Sequence, residues 1–178
     1  MKFRFLFCFL LITSLLSAQK YATRSGKTSF TASEETFEQI KAINNVSTAI
    51  VDSSNGDIAI LLFISAFDFK IALMQEHFNE NYMDSDKFPK ATFRRKLEGF
   101  SIDTLKKEYP LLGTLTIRGI KKEIETTATV MITEGTIGIT SNFTIKPQDF
   151  NIIIPKIVRK KIAKSININL NYELVEKK

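Results

Sequence analysis

The sequence predicts an all-β protein, an eight-stranded antiparallel β-barrel with one short helix. Apolar and polar residues alternate strictly along several segments, turn sequences separate these segments, and no β-α-β rhythm runs through the chain. Alternation at period two is typical of strands that bury one face. A barrel closed on itself is favoured over an open sheet because closure leaves no exposed edge strand.

The alternation is clearest in the C-terminal half, where Glu134-Gly135 predicts a tight hairpin between two strands. Each strand there has one face that is mainly apolar, and that face is predicted to point inward. The inward-facing residues are Leu111, Leu115 and Ile117; then Ile124, Thr126, Ala128, Val130 and Ile132; then Ile137, Ile139, Ser141, Phe143 and Ile145; and finally Ile166, Ile168, Leu170, Tyr172 and Leu174.

The N-terminal half is less regular. Residues 27–33 and 46–52 read as strands, and Asn55-Gly56 predicts a hairpin turn after the second of them. A long strand is predicted over residues 57–69, with apolar residues on both faces, so something must cover its outer face. Met74, His77 and Phe78 follow at helical spacing, which places them on one face of a short helix.

The first 18 residues have the pattern of a cleaved secretory signal. Lys2 and Arg4 precede an apolar run from Phe5 to Leu16, and Ser17-Ala18 offers a cleavage site. We therefore expect a signal peptide over residues 1–18 and a single exported domain over residues 19–178, in the periplasm or outside the cell. A chain of this length suits one domain with a sizeable core.

Residues for catalysis are scarce. His77 is the only histidine and Cys8 the only cysteine, and Cys8 lies within the predicted signal. No metal site, cofactor or catalytic residue is predicted, and a lipid-modifying enzyme that uses His77 remains only a third alternative. The net charge of +6 is spread along the chain except for two basic clusters, Arg94-Arg95-Lys96 and Arg159-Lys160-Lys161, which are expected to be solvated surface. The clusters lack interleaved aromatic residues at platform spacing, so no nucleic-acid partner is expected.

Three blocks of sequence carry a family resemblance: Glu76-His77-Phe78-Asn79-Glu80-Asn81-Tyr82, residues 86–93 (Asp-Lys-Phe-Pro-Lys-Ala-Thr-Phe), and residues 112–122 with Leu-Gly-Thr-Leu-Thr-Ile-Arg-Gly-Ile-Lys-Lys. They resemble the signature of the YceI-like family. The resemblance implies an exported, elongated, lipocalin-like barrel whose lumen holds a polyisoprenoid chain. It also implies that a helix over residues 70–78 covers the long strand, with Met74 and Phe78 as packing residues. After that helix, residues 79–86 read as turns from the sequence itself.

An eight-stranded barrel is just wide enough to be filled by its own side chains or to enclose one slender ligand. We expect a carrier for an isoprenoid or fatty-acyl lipid that makes transient contact with a membrane surface. The sequence does not decide between a monomer and a dimer. The alternative is a structural or interaction protein of the envelope with a closed barrel and no ligand. The candidate ligand contacts are Phe63, Phe67, Met74, Phe78, Phe93, Arg94, Val130 and Phe143. At the mouth, Arg94, Arg95 or Lys96 could pair with a polar head group.

Overall fold

Strands dominate the computed structural model, which describes residues 19–33, 39–103 and 107–177. The predicted signal over residues 1–18 lies outside this part of the chain. The strands are β1 (Lys20–Ser33), β2 (Lys41–Asp52), β3 (Asp57–Phe63), β4 (Asp68–Phe69), β5 (Lys90–Leu97), β6 (Glu108–Ile117), β7 (Ile120–Thr133), β8 (Thr136–Ile145) and β9 (Ile162–Glu176). The helical elements are a 3₁₀ turn (Ile64–Ala66), the α-helix α1 (Ala72–His77), a π-helix (Phe78–Met83) and a second 3₁₀ turn (Pro147–Phe150).

Eight of the described strands close into a barrel. Neighbouring strands follow the order β1-β9-β8-β7-β6-β5-β3-β2, and β2 pairs again with β1, so the sheet has no free edge in this ring. Every pairing is antiparallel, and the two-residue strand β4 adds one short pairing to β2. The predicted eight-stranded antiparallel barrel with one short helix is therefore confirmed.

The inward-facing residues divide the barrel into two halves. Near the hairpin between β7 and β8, the interior is packed by side chains that are almost fully buried, including Val51, Leu97, Tyr109, Ile137 and Leu174. The other half is closed less completely. It lies where β3 leads into α1, where β6 turns into β7, and where β8 leads through a 3₁₀ turn into β9. This second half contains the cavity described below.

The long predicted strand and the predicted helix both differ from expectation. Residues 57–69 do not form one strand, because the chain leaves the sheet after Phe63 in a 3₁₀ turn. The helix expected over residues 70–78 is α1, which is shorter and continues as a π-helix through residues 78–83, where turns were expected. Ala59 and Phe63 stay exposed on the outer face of β3, so the helix does not cover that face as predicted.

Among the described residues, no helix has the length and hydropathy that a membrane crossing requires.

Candidate functional site

An apolar cavity of about 340 Å³ occupies the second half of the barrel. Its volume falls within the range of about 300–1,000 Å³ that is usual for ligand pockets. Most of its lining consists of aliphatic and aromatic side chains that alternate strands present inward. From the strands these are Phe30, Ala32, Ile60, Leu62, Phe69, Ala91, Phe93, Leu111, Leu115, Ile117, Ile124, Phe143, Ile145, Ile162, Ile166, Ile168, Leu170 and Tyr172.

The cavity persists partly because small residues stand next to large ones. A Cβ atom at Gly113 would lie 2.3 Å from Cζ of Phe93, so the absence of a side chain on β6 lets the Phe93 ring lie flat against that strand. Ala32 and Ala91 are buried in the lining, where larger residues would project into the open space. The lumen is therefore lined by apolar side chains without being filled by them.

A capping segment, residues 64–89, crosses this end of the barrel. Its two ends are joined, because the Ile64 N–H donates to the Pro89 carbonyl at 2.9 Å. The helical part presents Met74, Phe78 and Met83 to the cavity. The π-helix ends after Met83, where Asp84 adopts a left-handed conformation with φ of 49°.

Four phenylalanine rings hold the capping segment against the barrel. The Phe78 ring lies with its centroid 5.4 Å from Phe30 on β1, 5.7 Å from Phe67 and 5.1 Å from Phe69. Phe30 also contacts Phe67 and Phe69, with centroids 5.2 and 5.8 Å apart. Such contacts stabilise beyond the area that they bury. All four rings line the cavity, so the cluster both anchors the cap and forms part of the wall.

The mouth of the cavity is marked by two polar lining residues that are exposed to solvent, His77 and Lys161. His77 ends α1, and Lys161 precedes β9. Between the 3₁₀ turn and β9, the lining also includes Ile152, Ile154 and Val158. The opening therefore places one ammonium group beside an apolar interior.

The deep end of the cavity contains a buried chain of hydrogen bonds. Thr28 Oγ1 lies 2.6 Å from Tyr172 Oη and 2.8 Å from Ser47 Oγ, and Ser47 Oγ lies 3.3 Å from Asn44 Oδ1. All four side chains are at most 3 % exposed. The Tyr172 ring fits here because a Cβ at Gly26 would lie only 2.5 Å from it. Thr28 and Tyr172 also line the cavity.

The direction of this chain follows from the backbone. Asn44 Oδ1 accepts the Val46 N–H at 2.9 Å, so the oxygen is fixed as the acceptor and Ser47 donates to it. Thr28 must then donate to Ser47, and Tyr172 donates to Thr28. Burial raises the pKa of Tyr172, and the hydroxyl groups of Thr28 and Ser47 oppose that shift only in part. The phenol is therefore neutral and acts as the donor at the head of the chain.

Five of the predicted ligand contacts line the cavity: Phe67, Met74, Phe78, Phe93 and Phe143. Phe67 reaches it because the 3₁₀ turn after Phe63 interrupts the strand alternation. Val130 is 2 % exposed and faces inward, but it lies in the packed half, outside the cavity lining. In this structure Val130 is part of the packed core.

The expected lumenal position is wrong for Phe63 and Arg94. Phe63 is 45 % exposed, with Lys90 Nζ 5.4 Å from its ring, and Arg94 is paired with the outward-facing Ala59. Arg95 and Lys96 pair with Ile58 and Asp57, next to the β2–β3 turn at the end of the barrel away from the mouth. None of the three basic residues lines the cavity, and Lys161 occupies the place that they were expected to fill.

The sequence-based reasoning missed Phe30, Phe69 and Lys161 as parts of the site. Phe30 lies in a segment that was recognised as a strand, and its partners could have been found only from the barrel closure that pairs β1 with β2. Lys161 follows Arg159 and Lys160 directly, and that basic run was noted only as a surface feature. Its position directly before the predicted last strand was the one signal in the sequence that could have placed Lys161 at an end of the barrel.

The arrangement is suited to binding an apolar molecule. Among the described residues, no group of three histidine, cysteine, aspartate or glutamate side chains could hold a metal ion. In the same part of the chain, no hydrogen bond or ion pair connects His77 to Glu76 or Glu80. The chemistry that the cavity offers is desolvation of a hydrocarbon chain, with one cation at the opening and hydroxyl groups at the deep end.

The fold is shared with several solved structures. Burkholderia cenocepacia BcnA is 17 % identical with a TM-score of 0.71, and the match covers 84 % of this chain and 96 % of that one. A polyisoprenoid binding domain from Saccharophagus degradans is 13 % identical with a TM-score of 0.73, over 90 % and 99 % of the two chains. The YCEI protein of Campylobacter jejuni is 21 % identical with a TM-score of 0.67, over 82 % and 89 %.

A search of curated protein sequences found no match. The model of the YceI-like domain matches residues 18–174, which is nearly the whole of the described barrel. Each of the three sequence blocks that suggested this resemblance contributes residues to the lining of the cavity. They are His77, Phe78 and Tyr82 in the capping segment, Ala91 and Phe93 on β5, and Leu115 and Ile117 on β6. The chain belongs to the YceI-like family.

Proposed function

We propose that this protein is an exported carrier that holds one long apolar molecule, a polyisoprenoid or a similar lipid, in the barrel. The observation that carries the proposal is the open apolar cavity between the capping segment and the packed half. Family membership supports it, as does the fold shared with a polyisoprenoid binding domain. Export rests on the signal-like pattern of residues 1–18.

Hydrocarbon burial can supply the affinity. Each methylene group that leaves water contributes about 0.8 kcal/mol, so ten carbons contribute about 8 kcal/mol before the costs of association. A dissociation constant of about 1 μM corresponds to a net free energy of about 8 kcal/mol, so more than ten carbons must be buried to reach it after the association costs. A longer chain is favoured because it offsets the association costs, and its polar end would lie at the mouth, near Lys161.

The direct test fills the cavity with a side chain. Ala91 is 6 % exposed and lines the cavity, whereas Ala59, on the neighbouring strand, faces outward and is exposed. Ala91→Phe should remove binding of a long polyprenyl alcohol, and Ala59→Phe should retain it. With ligand at about 100 times its dissociation constant, the wild type gains about 2.7 kcal/mol of stability, which corresponds to a rise in Tm of about 5–10 °C.

A wild type whose Tm is unchanged by isoprenoids and by fatty acids would favour the alternative, an envelope structural or interaction protein whose barrel has no ligand. If Ala91→Phe still binds the ligand, the ligand does not bind in this cavity. A catalytic role for His77 is tested in the same samples. We expect the bound alcohol to be recovered chemically unchanged from both the wild type and His77→Ala.

A further inference from the structure

The segment between the second 3₁₀ turn and β9 exposes two isoleucines. Ile153 is 79 % exposed and Ile157 is 89 % exposed, the highest values among the large apolar side chains of the described residues. Single exposed apolar residues are common on protein surfaces and require no explanation. Two such residues four positions apart in one connection, each almost fully in solvent, indicate a surface that contacts something apolar.

This connection is not a loose strand of chain. The Val158 N–H donates to the Pro155 carbonyl at 3.2 Å, and the Lys161 N–H donates to the Val158 carbonyl at 2.9 Å. The Arg159 guanidinium donates to the Ile154 carbonyl at 3.3 Å. These bonds fold residues 155–161 into consecutive turns, so the exposed isoleucines project from a defined backbone.

The same connection forms one side of the cavity mouth. Ile152, Ile154 and Val158 line the cavity, while Ile153 and Ile157 alternate with them and face solvent. The loop therefore has an inner apolar face against the lumen and an outer apolar face against water. A molecule entering or leaving beside it passes from one apolar face to the other.

The outer face is also basic. Lys156, Arg159 and Lys160 are exposed, and no aspartate or glutamate occurs between Asn151 and Lys161. Exposed isoleucines among cations are suited to the interface of an anionic bilayer, where the apolar side chains enter the acyl boundary and the cations attract the head groups. An acidic protein surface would satisfy the charges but would leave the isoleucines without an apolar phase.

We propose that residues 152–161 are a membrane-docking loop, which seats the mouth of the barrel on an anionic lipid bilayer so that the ligand is exchanged there. This proposal rests on the proposed function for its purpose, because a carrier of an apolar chain must take it from an apolar phase. The docking itself is a separate property, which can be measured without any ligand.

The test measures sedimentation with vesicles made of equal parts phosphatidylcholine and phosphatidylglycerol, and with vesicles of phosphatidylcholine alone. Wild type should bind the anionic vesicles, and the double variant Ile153→Ser/Ile157→Ser should bind them at least about tenfold more weakly, because burial of each isoleucine is lost. Met131→Ser/Val175→Ser is the matched control. Met131 and Val175 are 68 % and 57 % exposed near the opposite end of the barrel, so binding should be unchanged.

A charge variant, Lys156→Gln/Arg159→Gln/Lys160→Gln, should also bind weakly and should abolish the preference for anionic vesicles. The proposal is overturned if wild type binds neither kind of vesicle, if the isoleucine variant binds as wild type does, or if the control loses as much binding. Uptake of a polyprenyl alcohol from detergent solution, followed by native mass spectrometry, distinguishes the two proposals. The isoleucine variant should take up the alcohol normally from detergent but slowly from vesicles, whereas failure of every form to take it up would contradict only the carrier function.

Discussion

Replacement of Thr28 by valine tests the hydrogen-bond chain at the deep end of the cavity. Valine keeps the shape of threonine but can neither accept from Tyr172 nor donate to Ser47. Both partners are buried, so water cannot replace the lost bonds without entering the barrel. The Tyr172 hydroxyl would lose its 2.6 Å acceptor inside the barrel, and that is the larger of the two losses.

The magnitude can be worked from these contacts. An unsatisfied buried donor costs about 1–3 kcal/mol, and the lost bond to Ser47 adds about 1 kcal/mol. Thr28→Val should therefore lower the free energy of unfolding by about 2–4 kcal/mol, a large fraction of the stability of a typical domain. For a domain of this size, the corresponding fall in Tm is roughly 4–16 °C.

Chemical denaturation of a double-mutant cycle is the assay. Tyr172→Phe alone removes the donor and leaves Thr28 bonded to Ser47, so it should cost only about 0.5–1.5 kcal/mol. In the background of Thr28→Val, Tyr172→Phe should cost nothing or restore some stability, because the stranded hydroxyl is gone. Additive losses, or a further fall in stability of the double variant, would refute the deduced direction of the chain.

Three further outcomes follow from the same geometry. Because the folded-state pKa of Tyr172 is raised above its ordinary value of 10.0, stability should be fully retained below pH 10 and fall as pH rises through the folded pKa; in pH-dependent denaturation, Tyr172→Phe should lose less. Phe78→Ala should lower the free energy of unfolding by about 3 kcal/mol by opening the aromatic cluster, and hydrogen exchange should then accelerate in residues 64–89 but not in β8; uniform acceleration would contradict a local role for Phe78. Gly113→Ala should cost about 1–3 kcal/mol by displacing the Phe93 ring, and Phe93→Leu should partly restore thermal stability in that background; no rescue would argue against this contact as the cause.

The barrel could be predicted because alternation depends on local sequence alone. Residues such as Ile137, Ile139 and Tyr172 occupy the inner face that their spacing indicated, and each is at most 1 % exposed. The same logic could not place Phe67, because nothing in its immediate neighbourhood signals that the strand ends after Phe63. One 3₁₀ turn shifts the alternation, so that Phe67 is inside while Phe63 is outside.

The candidate site was predictable only in part. Which inward residues face a cavity and which are packed depends on the sum of side-chain volumes at each level of the barrel. Val130 and Phe143 have the same inward orientation on neighbouring strands, yet only Phe143 lines the cavity. The mouth was harder still to locate, because charge alone does not distinguish Arg94, which faces outward on β5, from Lys161, which lines the opening before β9.

The most direct measurement of the central claim is native mass spectrometry of the protein isolated from its own host, before and after extraction with organic solvent. We predict one apolar molecule for each chain before extraction, its loss on extraction, and its reuptake by the wild type but not by Ala91→Phe. Protein that is reproducibly empty, and that does not take up a polyprenyl alcohol or a fatty acid when these are supplied, would contradict the claim that the cavity holds a ligand.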